Sequence, residues 1–188
     1  MTNSRNASHR SRTWHYSAPA IVLHWLLAML LAGMVALGWY MMAIEDEPGS
    51  DWYFSIHKSF GLLVLTLVLC RVLWRLMHRP QPLPAAVPRW QQRLAGATQA
   101  LLYVCMLVMP LTGLLGASYS KDGVAFFGLP LPLWVTPDHD TQELFFAAHG
   151  FIAWLLVGLV ALHVAGALKH WLVNRDNVIQ RMWFGPQR

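Results

Sequence analysis

Two histidines, His149 and His163, lie inside one long apolar stretch that runs from Ala147 to His170. They are fourteen residues apart, which in an α-helix is about 40° short of four turns and about 21 Å along the axis. Both imidazoles therefore project from nearly the same face of one helix, at two depths. An unpartnered polar group is costly in hydrocarbon. An imidazole nitrogen is also a common metal ligand, so the spacing predicts two ligand positions on one helix.

The composition indicates that this helix lies in a membrane. Of 188 residues, 56% are hydrophobic and only 12% are charged, whereas a soluble domain has about 25% charged residues. Four apolar runs reach the length of about 20 residues that a bilayer core requires: residues 20–42, 54–77, 94–118 and 144–173. We therefore predict an all-α membrane protein with one four-helix transmembrane bundle over residues 20–173, flanked by tails at residues 1–19 and 174–188.

The distribution of charge predicts the orientation of the bundle. The two tails and the second connection, with their flanks, hold twelve of the fourteen cationic residues, whereas the other side holds eight of the nine acids and only Lys58 and Lys121. By the positive-inside rule both termini are cytoplasmic. Attraction to anionic lipid headgroups explains the basic side, so the charge gives no indication of nucleic-acid binding.

Depth in the membrane sorts four intramembrane histidines into two pairs. His57 and His149 lie a turn or two inside the outer boundary, and we call them the outer pair. His24 and His163 lie near the inner boundary and form the inner pair. Each pair offers two imidazoles with no thiolate or carboxylate at the same depth, which does not suit zinc. Bis-imidazole ligation of haem iron fits, and it is typical of electron transfer. The alternative is four hydrogen-bonded core histidines or a proton path.

Cationic side chains near the pairs are further candidates. Arg71 is fourteen residues after His57, on the same face of the second span, and a haem propionate or a quinone oxygen would suit its guanidinium. Snorkelling to the headgroups is the alternative for Arg71. Lys58 has the corresponding place at the outer pair, although it can also reach the outer surface. Arg71 and three further residues form a predicted quinone-side cluster: Arg75, Lys169 and His170. For His170, an interfacial anchor is the favoured interpretation and a quinone-side role is the alternative.

The sequence resembles the bacterial cytochrome b561 family of four-span dihaem membrane proteins from Ser17 to Met182. The motifs are "IVLHWLLA", "IHKSFGLLVL" with "CRVLWRL", "FFGLPLP", "AHGFIAW", "ALHVAGALKH" and "RDNVIQRM". The resemblance implies two b-type haems, with His24, His57, His149 and His163 as axial ligands. It also implies a multi-pass protein of the bacterial inner membrane, and for some members the oxidation of superoxide with delivery of electrons to ubiquinone.

We therefore expect transmembrane electron transfer between a periplasmic donor and ubiquinone. Superoxide is one candidate donor, although the excess of outer acids would repel an anion on average, and a basic periplasmic redox protein is another. Two further classes remain open. The chain is alternatively the haem-bearing membrane anchor of a larger dehydrogenase, or a haem-free transporter or scaffold.

Overall fold

A computed structural model of the protein describes residues 16–78, 87–132, 134–175 and 178–183. Several residues that carry the predicted orientation lie outside these ranges, namely Arg5, Arg10, Arg12, Arg79, Asp176 and Arg188. Four long helices make up most of the described chain: α1 (Ala18–Ala43), α2 (Ser50–Met77), α3 (Arg89–Tyr119) and α4 (His139–Lys169). A π-helical turn (His170–Asn174) extends α4, and a 3₁₀ turn (Ile179–Met182) follows.

Local sequence signals set the ends of these helices. Pro19 lies in the first turn of α1, where backbone N–H groups have no intrahelical acceptor, so the N–H that proline lacks costs no hydrogen bond. The N-cap of α2 is Gly49, whose φ of 90° is accessible to glycine without strain. At the start of α4 the carboxylate of Asp138 accepts a hydrogen bond of 2.9 Å from the backbone N–H of Thr141. The first three predicted spans lie within α1, α2 and α3, and the fourth, residues 144–173, runs through α4 into the π-helical turn.

All four helices are long and apolar enough to cross a membrane. The chain is a multi-pass membrane bundle, as the sequence predicted. Large apolar side chains point outward along the helices, among them Leu73, Trp154 and Val173, which suits contact with lipid. The orientation of the bundle in the bilayer stays a prediction.

Two small apolar clusters hold the helices together. One joins α1 to α2 through Leu27, Val64 and Val68. The other joins α3 to α4 through Cys105, Met109, Leu156 and Leu159. The close helix packing runs α1–α2, α2–α3 and α3–α4, while α1 and α4 are not packed closely along their described lengths. Helices α1 and α4 thus meet through side-chain contacts, such as Trp39 with Trp154 and His24 with His163, without close backbone packing.

The connection between α3 and α4 folds over the outer end of α2. It contains a short antiparallel hairpin of β1 (Ala125–Phe126) and β2 (Leu129–Pro130). Phe127 and Gly128 both have positive φ, at 47° and 86°, which is typical of a type I′ turn. The hydroxyl of Ser59 accepts a 2.9 Å hydrogen bond from the Phe127 N–H, and Phe60 packs edge-on against the Phe127 ring. The hairpin is thus docked on the outer end of α2 by a hydrogen bond and a ring contact.

At the other end of the bundle, residues at the start of α1 contact the 3₁₀ turn that follows α4. The carbonyl of Arg181 accepts a 3.2 Å hydrogen bond from the Tyr16 N–H, and the Met182 carbonyl accepts one of 2.9 Å from the Trp25 indole. The guanidinium of Arg181 lies 5.1 Å from the centroid of the Tyr16 ring. These contacts place the 3₁₀ turn against the first two turns of α1, on the side of the inner pair.

Candidate functional site: two facing histidine pairs

The structure brings the four intramembrane histidines together as the two pairs expected from depth. The ring centroids of His57 and His149 are 6.2 Å apart with an interplanar angle of 79°. Those of His24 and His163 are 6.3 Å apart at 70°. Helix α4 supplies one histidine to each pair, α2 supplies the outer partner, and α1 supplies the inner one. Within the described residues, neither pair is joined by a third histidine, cysteine or carboxylate in a metal-binding group.

The separation of the rings fits one metal ion between each pair. Metal–imidazole bonds are about 2.0–2.1 Å long, and a ring nitrogen lies about 1.1 Å from its ring centroid, so two axial imidazoles have centroids about 6 Å apart. Both observed distances match this value. The donor set of two nitrogens also suits an iron whose remaining positions are filled by a macrocycle.

The outer pair has a carbonyl that orients one ring. Nδ1 of His149 is 2.8 Å from the backbone carbonyl oxygen of Met109, to which it donates, and the Thr112 hydroxyl lies 3.5 Å away. With the proton on Nδ1, the Nε2 lone pair is available to a metal, which is the usual arrangement of a ligating histidine. On the opposite side, Nδ1 of His57 is buried and has no hydrogen-bond partner. A buried polar atom without a partner is rare in a finished protein core.

Two glycines give the outer histidines their space. A Cβ atom at Gly113 would stand 3.0 Å from Nδ1 and Cε1 of His149, and one at Gly38 would stand 3.4 Å from Cε1 of His57. At Gly38 and Gly113 the neighbour is an imidazole ring, whereas Gly33, Gly150 and Gly166 face open space within 4 Å.

The inner pair lies beside a buried cation. Arg71 is only 9% exposed, and its Nη2 is 3.2 Å from Nδ1 of His24. Its Nη1 donates a 3.1 Å hydrogen bond to the carbonyl oxygen of Ala20, and its Cζ lies 5.9 Å from the centroid of the Tyr103 ring. The sequence placed Arg71 at this depth but did not identify these three neighbours. Its guanidinium stays in the interior of the bundle and does not snorkel.

The remaining candidates occupy separate places. Lys58 donates a 3.3 Å hydrogen bond to the Gly123 carbonyl of the outer connection. Arg75 donates to the Gln99 side-chain oxygen at 2.9 Å and to the Tyr16 hydroxyl at 3.4 Å. Lys169 lies with its amine 5.4 Å from the Trp90 ring, and Nδ1 of His170 is 3.2 Å from the Asn174 amide nitrogen. The predicted quinone-side cluster is therefore divided between the α2–α3 surface and the end of α4.

A groove opens between α2 and α3 at the level of Arg75. Its volume is about 390 Å³, and its walls are mainly apolar, with three polar side chains. The lining residues are Val72, Arg75, Leu76, Gly96, Gln99, Ala100 and Tyr103. Tyr103 lines the groove and also lies beside Arg71, which in turn contacts His24 of the inner pair. The groove was not predicted from the sequence.

Comparison with known proteins agrees with this geometry. The sequence profile described as prokaryotic cytochrome b561 matches residues 15–185. Two Escherichia coli K12 proteins named cytochrome b561 homolog 2 and homolog 1 are 31% and 28% identical to the chain. Each alignment covers 89% of this chain, and 90% and 96% of those proteins. A Yersinia pestis protein named as a probable superoxide oxidase is 27% identical over 89% of this chain and 94% of its own length. With four membrane-spanning helices and a profile match over most of its length, the chain belongs to the prokaryotic cytochrome b561 family.

Proposed function

We propose that this protein carries electrons across the bacterial inner membrane, from a periplasmic donor to ubiquinone, through one b-type haem at each histidine pair. Membership of the family supports membrane electron transfer with b-type haem. The observation that carries the finer proposal is the pair of centroid distances, 6.2 and 6.3 Å, at two depths of one bundle. A protein that used only one cofactor would need only one of these pairs.

The residues of the chain have separate parts in this proposal. His57 with His149 and His24 with His163 would hold the two haem irons through their imidazole nitrogens, a ligand set typical of electron transfer. A b-type haem, when bound, supplies a one-electron redox centre. Helix α4 sets the spacing of the two sites, because the fourteen residues between its histidines rise about 21 Å. The Met109 carbonyl orients His149, and the apolar clusters exclude water from the bundle.

Superoxide is the donor that the comparisons favour, because one relative of similar length is named as a probable superoxide oxidase. The charges of the outer side weigh against this donor, since eight acids face two lysines in the sequence. Lys58 is also engaged with the Gly123 carbonyl. A cationic redox protein is the second candidate donor, and the same acidic surface favours it.

The α2–α3 groove is the proposed site of ubiquinone. A quinone needs an apolar channel for its tail and hydrogen-bond donors for its carbonyl oxygens, and the groove combines apolar walls with Arg75, Gln99 and Tyr103. Arg75 already donates to Gln99, so a quinone oxygen would accept from a guanidinium that is held in place. Lys169 and His170 are outside this lining and form the alternative position at the end of α4.

The first test is an absorbance spectrum of the purified, dithionite-reduced protein with a haem assay. We expect two b-type haems per chain. His24→Ala and His163→Ala should each remove the inner signal, and His57→Ala and His149→Ala the outer one, because a single imidazole cannot complete the axial set. His78→Ala is the control, since His78 stacks on Trp74 outside both pairs and its loss should leave the spectrum unchanged. Colourless protein would contradict the proposal, and so would a single haem signal that none of the four His→Ala variants removes.

A second test identifies the donor and the acceptor. Stopped-flow mixing of oxidised protein with superoxide should reduce the haems faster than superoxide dismutes; absence of reduction would exclude superoxide and leave the redox protein as donor. Reoxidation by a short-chain ubiquinone should slow in Arg75→Gln. If Lys169→Gln slows reoxidation and Arg75→Gln does not, ubiquinone binds at the end of α4 and the assignment to the groove is wrong.

A further inference from the structure

Arg71 is a buried cation that the electron-carrying role of the histidine pairs does not by itself require. It lies in α2, one helix away from the histidine that it contacts, and its exposed fraction is 9%. Three groups lie close to the guanidinium: the Ala20 carbonyl oxygen, which accepts a hydrogen bond at 3.1 Å, Nδ1 of His24 at 3.2 Å and the face of the Tyr103 ring. Placing a charge at this depth costs free energy, so its position calls for a physical reason.

No negative group balances this charge in the described part of the chain. The structure gives Arg71 a carbonyl, an imidazole and an aromatic ring as partners, but no carboxylate. Eight of the nine acids belong to the outer connections and the start of α2 and α4, at the opposite end of the bundle. Because the surroundings are apolar, the field of the guanidinium is weakly screened at the neighbouring His24.

The outer pair has the opposite environment. Nδ1 of His149 donates to the Met109 carbonyl at 2.8 Å, and a hydrogen bond of this kind makes the ring a better electron donor to a bound metal. The nearest outer cation in sequence, Lys58, is half-buried, donates to the Gly123 carbonyl and lies on the side that holds the acids. Its charge is therefore balanced and screened to a greater extent than that of Arg71.

These environments act in opposite directions on a redox centre. A nearby cation favours the reduced state, which carries one positive charge less, and so raises the reduction potential. A more basic ligand favours the oxidised state and lowers it. The effect of Arg71 depends on its charge and burial, and it persists whichever nitrogen of His24 carries the proton.

We infer that Arg71 is a positioning residue for the direction of electron flow: it holds the inner site at a higher reduction potential than the outer site. The inference rests on the proposed haem at each pair. Electrons then run downhill from the outer to the inner site. In that transfer the outer site loses one electron and the inner site gains it, without a bond or a proton changing place. The periplasmic donor replaces the electron and ubiquinone removes it.

The experiment is a redox titration of the dihaem protein, followed by absorbance and by electron paramagnetic resonance. His163→Ala and His149→Ala assign the inner and outer signals. In the wild type we expect the inner signal to titrate at the higher potential. Arg71→Gln should move the inner signal to lower potential and leave the outer signal in place, whereas Arg71→Lys should keep most of the wild-type separation because it keeps the charge.

A second variant keeps the test independent of any folding defect in Arg71→Gln. Tyr103→Glu places a carboxylate opposite the guanidinium while leaving Arg71 and His24 intact, and it should also lower the inner potential. The matched control is Arg93→Gln, which removes an exposed cation of α3 and should move neither signal.

Two haem signals whose potentials stand in the reverse order, or an inner potential that neither variant lowers, would overturn this inference and leave the proposed function intact. A wild-type protein without two haem signals would overturn both.

Discussion

At the scale of single residues, the site is built from histidines that the sequence predicts and from neighbours that it does not. The spacing of His149 and His163, with the depth of His24 and His57, was enough to predict both facing pairs. The hydrogen bond from His149 to the Met109 carbonyl could not be predicted in this way, because every residue has a backbone carbonyl and the residue type does not show which one accepts. The contact of Arg71 with His24 depends on how α1 and α2 are rotated against each other, which helical spacing within α2 leaves undetermined.

Gly113 offers a test of how tightly the outer pair is held. Gly113→Ala would place a Cβ 3.0 Å from the ring of His149, which is also tied to the Met109 carbonyl and so has little freedom to shift. We expect the outer haem signal to be lost or shifted while the inner signal stays, with a destabilisation of about 1–3 kcal/mol, typical of overpacking. Haem content and redox titration of the variant measure this.

The control for this change is Gly158→Ala, on α4 between the two histidines. A Cβ at Gly158 has no heavy atom within 4 Å, so both haem signals should be retained. An outer signal that survives unchanged in Gly113→Ala would show that the ring of His149 moves more freely than its contacts suggest.

At the scale of elements, the helices follow from the sequence more directly than the outer hairpin does. Runs of apolar residues of membrane-spanning length predicted all four helices, because in lipid the backbone must satisfy its own hydrogen bonds. The hairpin over residues 125–130 was not predicted from the sequence. Its register depends on a positive φ at Phe127, which is unusual for an aromatic residue, and on the hydroxyl of Ser59 from another helix.

Ser59 therefore provides a test of how the hairpin is docked. The side chain is 1% exposed and accepts the Phe127 N–H, so Ser59→Ala removes the partner of a strained turn. We expect a loss of about 1 kcal/mol in local stability and faster hydrogen exchange of the backbone amides from 124 to 131. Exchange followed by mass spectrometry on the detergent-solubilised protein measures it.

Ser118→Ala is the matched control for the hairpin experiment. This serine is 2% exposed, and its hydroxyl donates to the Leu114 carbonyl of its own helix. Its removal should leave exchange in the hairpin unchanged. Equal exchange of the hairpin in wild type and Ser59→Ala would mean that the hydrogen bond to Ser59 is not needed to hold the turn.

At the scale of the whole molecule, the histidine pairs connect parts of the bundle that pack little against one another. The apolar clusters lie between α1 and α2 and between α3 and α4, whereas the pairs reach from α1 and α2 across to α4. A ligand that binds the folded state and not the unfolded state stabilises it by mass action, by about 2.7 kcal/mol at a hundredfold excess over its Kd. Haem should therefore stabilise the assembly of the whole bundle.

The corresponding prediction concerns haem removal. We expect haem-depleted protein to have a lower Tm than loaded protein, and added haem to restore it, as measured by scanning calorimetry or by tryptophan fluorescence. The double variant His149→Ala/His163→Ala should show no rise in Tm with added haem. A Tm that is independent of haem in the wild type would contradict a role of the pairs in holding the bundle together.

The position of α4 in the chain has a consequence for biosynthesis. Both pairs take one histidine from this helix, which is the last of the four to leave the ribosome. Neither histidine pair is complete until the final span has been inserted, and a chain that stops before it contains, of these four histidines, only His24 and His57, from different pairs. Any iron that the pairs capture is thus captured after translation of the spans, so a half-made chain in the translocon offers no complete redox centre to the membrane.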